Sequence, residues 1–362
     1  MSQTAFQAIA VDDVELISAV GLSGEASFAA MTCNINNYTD TSFQASHDDA
    51  VVGAAVPLMP ELRGNARLAA LAAHSVQNLQ LRHPHLDLAR IPVLLALPED
   101  TRPGRDAQTN RNLLNDLQTH LSTRFAAGSM LLSCGRPAVA LALIEAHRLL
   151  HQERHDQVVI IAVDSLLQRA AVLHWLKEGR LLTGKNGYGF IPGEAAGTLL
   201  LSRPRAQQRT PTQTQALLIT GIGASAEPCT FASDQTNHGK GLAHAMQQAL
   251  LQAGLASTTK TPDKKHSRLV VTRDFATSIG DCSGETFYFG EAASAKLRVF
   301  KDRGQPTQFL LPAQTLGDIG AATGIAAIGW LDFLRRRRMT AVLPALLHFA
   351  NDDTQRAAVV IQ

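Results

Sequence analysis

A chain of 362 residues that is 45% hydrophobic can bury a large core and is long enough for two units of similar size. Its 33 basic and 31 acidic residues give a net charge of +2, so no global field draws it to nucleic acid. Cys33, Cys134, Cys229 and Cys282 lie far apart with no CxxC pairing, which argues against a zinc site or disulfide framework and fits a reducing cytoplasm. There is no signal-peptide pattern and no apolar run of bilayer length, so a cytoplasmic protein without membrane contact is expected.

Apolar strand-like runs alternate with longer amphipathic segments, the pattern of a layered α/β fold. Residues 6–11 and 14–20 read as an opening strand pair and 25–31 as a helix. Helical spacing of apolar residues predicts a long helix over 62–81, then a buried strand over 91–97 stopped by Pro98, then a helix over 110–125. The β-branched run Val158-Val159-Ile160-Ile161 predicts a strand over 157–165 covered on both faces, with another at 198–202. The polar stretch 204–215, with Pro204, Pro211 and repeated Gln and Thr, reads as a connection. A second series then repeats the order: a strand at 216–222, a helix at 240–253 stopped by Gly254, and strands at 268–272 and 309–311. A helix at 319–334 and strands at 342–347 and 357–361 close the chain.

The stretch Ser133-Cys134-Gly135-Arg136-Pro137 joins an apolar strand end to a helix rich in Ala and Leu that carries almost no charge before Glu145. Pro137 suits the first helical position, and a buried helix leaving a tight turn favours a nucleophile, because its free N–H groups and dipole stabilise negative charge. With the ending Glu145-Ala146-His147-Arg148-Leu149-Leu150, this stretch resembles the thiolase superfamily, specifically the β-ketoacyl-acyl-carrier-protein synthases, where an Ala-Cys pair opens such a helix. Three further stretches are similar to that family's motifs and stand in the same order. They are Ala162-Val163-Asp164-Ser165, the glycine-rich run from Gly187 through Glu194 to Gly197, and Leu316-Gly317-Asp318-Ile319-Gly320-Ala321-Ala322. Glycines there would allow close backbone approach, and Glu194 could pin its loop through backbone N–H groups. The resemblance covers nearly the whole chain. It implies an α/β thiolase-like fold of two pseudo-duplicated βαβαβ halves, 1–203 and 204–362, in an α/β/α/β/α layering, with the nucleophile helix in the first.

The family condenses acyl and malonyl thioesters with a Cys-His-His or Cys-His-Asn triad. Carried over without gaps, the cysteine's place falls on Arg136, the first histidine's on Arg273 (counting back from Gly280-Asp281) and the second histidine's on Asp318. Arginine cannot form a thioester, and a carboxylate at 318 would repel an enolate unless protonated. The resemblance therefore implies a β-ketoacyl synthase-like protein of fatty-acid or polyketide type metabolism that lacks the triad. It would act as a non-catalytic partner, a subunit like a chain-length factor, or an acyl-binding protein. The alternative is an active acyltransferase or 3-oxoacyl synthase using Cys134, two residues earlier, as a relocated nucleophile. An arginine at a helix start is unfavourable by dipole, so Arg136 should pair with an acid, for which Asp318 is a candidate.

The resemblance also implies a homodimer, or a heterodimer with a related ketosynthase, formed by extending sheets through the strand at 158–163. An acidic acyl carrier protein is a further implied partner, and the run Arg335-Arg336-Arg337-Arg338 a candidate patch for it. Neither cofactor nor metal is implied. His147, His151 and His155, spaced as metal ligands on one helix face could be, also fit an exposed helix end.

Overall fold

The computed structural model describes residues 6–204, 216–260, 267–301, 303–339 and 342–362; the expected connection at 204–215 lies almost wholly outside them. The first half runs β1 (Ile9–Ser18), α1 (Gly24–Thr32), β2 (Thr39–Ser46), β3 (Asp49–Gly53), α2 (Gly64–Arg82) and β4 (Val93–Leu97). It continues with α3 (Ala107–His120), β5 (Met130–Ser133), α4 (Ala138–His151), β6 (Gln157–Ser165), α5 (Arg169–Lys177) and β7 (Glu194–Ser202). The second half comprises β8 (Leu217–Ala226), α6 (Lys240–Gln252), β9 (Ala256–Lys260), β10 (Ser267–Val271), β11 (Thr277–Gly280) and α7 (Thr286–Val299). Then follow β12 (Gln308–Leu310), α8 (Ala313–Leu316), α9 (Thr323–Arg336), β13 (Ala345–Ala350) and β14 (Gln355–Ile361).

Ten of these strands bond in the order β12-β11-β13-β14-β8-β1-β7-β6-β4-β5. From the β1–β8 junction outward, the two halves repeat one topology. In the first, β1–β7 and β7–β6 are antiparallel while β6–β4 and β4–β5 are parallel. In the second, β8–β14 and β14–β13 are antiparallel while β13–β11 and β11–β12 are parallel. The short pairing of Ile9–Val11 with Leu217–Ile219 joins them.

The layers follow from side chains alternating across each strand. Val158, Ile160 and Ala162 of β6 join α4 in one core, which the second half enters through α9 and through Leu347 and Phe349 of β13. Val159, Ile161 and Val163 face the opposite way, onto α2 and α3. On the far side, Leu346, Ala358 and Val360 pack under α6 and α7. Two sheet halves with helices outside and between them are the five expected layers. The paired central helices approach closely because Gly324 has no side chain; a Cβ there would sit 2.5 Å from that of Val139.

The strand expected at 268–272 is β10, which pairs with β9, while the short β11 takes the main-sheet position. Three expectations change. The opening strand pair is one strand, whose Asp12 is absorbed as a bulge between Val11 and Asp13. Residues 158–163 form no edge, since β6 lies between β4 and β7; the free edges of the sheet are β5 and β12. Glu194 pins a different segment from its own loop, accepting from the Val56 N–H at 2.9 Å, from Arg67 and from the Ser165 hydroxyl.

Candidate functional site

Strands β4, β5 and β6 run parallel, as do β11, β12 and β13, so within each set the loops at the C-terminal ends collect together. The turn after β5 is shaped by Gly135, whose φ is +62° and whose N–H bonds the Leu97 carbonyl at 3.0 Å. A Cβ at 135 would sit 2.5 Å from Glu99 Oε2 and 2.8 Å from Asn351 Oδ1, so loops of both halves close over this turn. Pro137 caps the helix instead of opening it, and the helix proper starts at Ala138.

Arg136 is buried, at 7% exposure, at the start of α4. Its Nε donates to Asp318 Oδ2 at 3.0 Å and a terminal nitrogen donates to the same oxygen. A second terminal nitrogen lies 3.4 Å from the Ala350 carbonyl and 3.6 Å from Asp352, and the guanidinium covers the Tyr288 ring at 4.9 Å. Asp318 arrives from the loop between α8 and α9. Its backbone bridges to Ile191 and Gly193 of the glycine-rich run. Its carboxylate also accepts from the Ser283 hydroxyl at 3.0 Å and the Gly320 N–H at 3.0 Å. Burial pushes this carboxyl's pKa up, but Arg136 and the Gly320 N–H outweigh it and hold it below the usual range.

The ion pair belongs to a larger buried system. Arg180 bonds Glu285 at 2.7 and 2.9 Å and Asp352 at 2.6 and 3.1 Å, while the Tyr288 hydroxyl donates to Asp352. On the first-half side, Arg102 holds Glu99 and Asp164, and Asp164 also accepts from the Ala321 N–H at 2.8 Å. Asp281, just beyond β11, accepts from the Ala350 N–H at 2.6 Å. Burial raises its pKa to about 7, with Arg136 only partly offsetting.

Of the residues singled out in the sequence, Arg136 and Asp318 meet. Cys134 stands two residues before them, off the helix, and is half-buried. Burial, with Asp353, Asp100 and Glu99 around it, pushes its thiol up to about 11, the reverse of an activated nucleophile. Arg273 does not join the cluster. It is exposed, and it precedes β11 where the site follows β11. The gap-free count carried it across a four-residue strand, which alone spans roughly 13 Å. The residues delivered beyond that strand are Asp281 and Ser283. Asp352, Tyr288 and Arg180 were also missed. Asp352 closes the apolar run Phe349-Ala350, with Asn351 before it, but Tyr288 and Arg180 stand in no such pattern. His147 and His151 are turned toward the chain's start: His147 stacks on Phe6 at 4.4 Å and His151 bonds the Ala8 carbonyl at 3.1 Å. His155 lies past the helix end, 3.6 Å from Glu153.

No family model matches the chain, and no curated protein does. Solved structures do. The ishigamide ketosynthase/chain length factor is 17% identical, with 98% of each chain covered and a TM-score of 0.67. A ketosynthase, ApeO, in complex with its chain length factor, ApeC, from Xenorhabdus doucetiae is 13% identical, covering 100% of this chain and 99% of that one, TM-score 0.66. A type II polyketide ketosynthase assembly with its acyl-carrier protein, AntDE:AntF, is 12% identical, covering 99% and 100%, TM-score 0.71. The chain thus has the thiolase-like fold of the ketosynthases and chain length factors. Among the described residues, no helix is long and apolar enough to cross a membrane.

Proposed function

We propose that this chain is a non-condensing, chain-length-factor-like subunit. It assembles with a related ketosynthase that carries the catalytic cysteine, and it serves carrier-protein-bound acyl chains of fatty-acid or polyketide type in the cytoplasm. The observation that carries this reading is the Arg136–Asp318 ion pair. A condensing enzyme needs a thiolate at the helix start and donors aimed at the developing enolate. This chain puts a permanently charged guanidinium at that start and turns the opposing group into a carboxylate. Each neutralises the other, so neither is free for an acyl thioester. A relocated Cys134 nucleophile is disfavoured by its burial and, adding to it, by the charges of Asp353, Asp100 and Glu99, all of which oppose thiolate formation.

The partner's sheet is proposed to continue from β5, the outer strand of the first half, with β4 on one side and, among the described residues, no strand on the other. Its Met130 is 43% exposed. Light scattering of the purified chain mixed with a type II ketosynthase should give a one-to-one complex, weakened by Leu131→Pro on that edge. A stable monomer at micromolar concentration, with no complex formed, contradicts the reading; a homodimer of this chain alone moves the assembly to a second copy.

A further inference from the structure

α7 covers the second half's outer core with Tyr288, Ala292, Ala295 and Val299. A surface helix that buries one stripe is expected to carry polar residues on the other. On α7 only Thr286 and Arg298, at its two ends, are polar among the exposed positions. Between them Phe289, Gly290, Ala293 and Leu297 make up an exposed stripe, with Leu297 65% and Phe289 36% exposed, and a Cβ on Gly290 would meet open space. The internal repeat supplies a control. α3 lies between the equivalent strands of the first half, and its exposed positions include Gln108, Arg111, Asn112, Asn115 and Thr119. The same place in the fold is polar in one half and largely apolar in the other.

Charge on α7 is sorted as well. Glu285 and Glu291 are buried against Arg180 and Arg356. Arg298 and, just beyond the helix, Lys301 are exposed, and Lys296 lies over the ring of Phe309 at 3.5 Å. Phe309, 39% exposed on edge strand β12, extends the apolar face past that ammonium. Arg303 is held by Asp274 at 3.3 Å. An apolar stripe with cations at its C-terminal end is complementary to a helix bearing apolar residues beside carboxylates. The Arg335–Arg338 run is less suited, because Arg336 and Arg337 already bond Glu25 and Asp332.

We infer that the outer face of α7, ending in Lys296, Arg298 and Lys301, is the docking surface for an acidic helix of the acyl carrier protein. The inference rests on the ketosynthase-system reading above and adds the place of contact. The test titrates a fluorescently labelled, acidic type II apo carrier protein into this chain, alone and mixed with a type II ketosynthase, while light scattering reports assembly separately. Leu297→Glu and the double variant Arg298→Glu/Lys301→Glu should each weaken carrier binding by at least about tenfold, as expected for opposed charges in a contact. The control Arg336→Glu should change it less than about twofold, as for a cation already engaged by acids. Binding should also fall between low and physiological salt. Unchanged affinity in both variants, or no carrier binding by the wild type, overturns the docking site even if the ketosynthase complex forms. Loss of that complex with carrier binding intact overturns the assembly reading and leaves the docking site supported.

Discussion

Asp318→Asn keeps the shape of the side chain and removes the charge facing Arg136. The guanidinium then keeps the Ala350 carbonyl at 3.4 Å and Asp352 at 3.6 Å, neither a close ionic contact. Breaking a buried pair by removing one partner costs about 3–5 kcal/mol, because the other charge stays desolvated. At roughly 2.1 cal/mol/K of unfolding entropy per residue, 362 residues convert this to a fall in Tm of about 4–7 °C. Arg136→Met on the same background removes the stranded charge, so Arg136→Met/Asp318→Asn should be less destabilised than the sum of the singles by at least about 1 kcal/mol. Calorimetry at pH 7 suits the measurement. Asp318 has a lowered pKa, so its contribution is complete above the unfolded carboxylate range and is lost only as pH falls through the lowered value. Additive effects within about 0.5 kcal/mol would show that the two residues act independently and that Arg136 and Asp318 do not neutralise each other.

Asp281 makes the opposite pH prediction. Its folded pKa of about 7 lies above its unfolded value, so the native state holds the proton longer and stability should fall as pH rises from about 4 to about 7; Asp281→Asn should flatten that slope in pH-dependent denaturation. Cys134, with its thiol pushed up to about 11, should react with iodoacetamide at pH 8 more slowly than exposed Cys33, and peptide mapping that finds Cys134 labelled first would refute its assignment as an inert thiol.

The layers were legible because burial on both faces of β6 and the near-absence of charge before Glu145 in α4 are written as unbroken apolar runs. The repeat of element order was visible too, although the sheet positions were not: β10 and β11 are both short, and nothing local tells which one joins the main sheet. Arg136 and Asp318 could be found because each sits inside a recognisable stretch beside a glycine, Gly135 or Gly317. Arg180 and Asp352 could not. They are 172 positions apart and meet through loops whose course depends on the packed sheet, so no spacing in the chain encodes the contact. Arg273 failed differently: counting back from Gly280-Asp281 crosses β11 and ends before that strand, whereas the site lies after it.

The proposed non-condensing role requires that nothing at the start of α4 take up an acyl group. Intact-protein mass spectrometry after incubation with acyl-carrier-protein or coenzyme A thioesters tests it most directly, comparing wild type with Cys134→Ala. No covalent acyl adduct is expected on either protein. An adduct on the wild type that disappears in Cys134→Ala would contradict it and make Cys134 the nucleophile of a working acyltransferase.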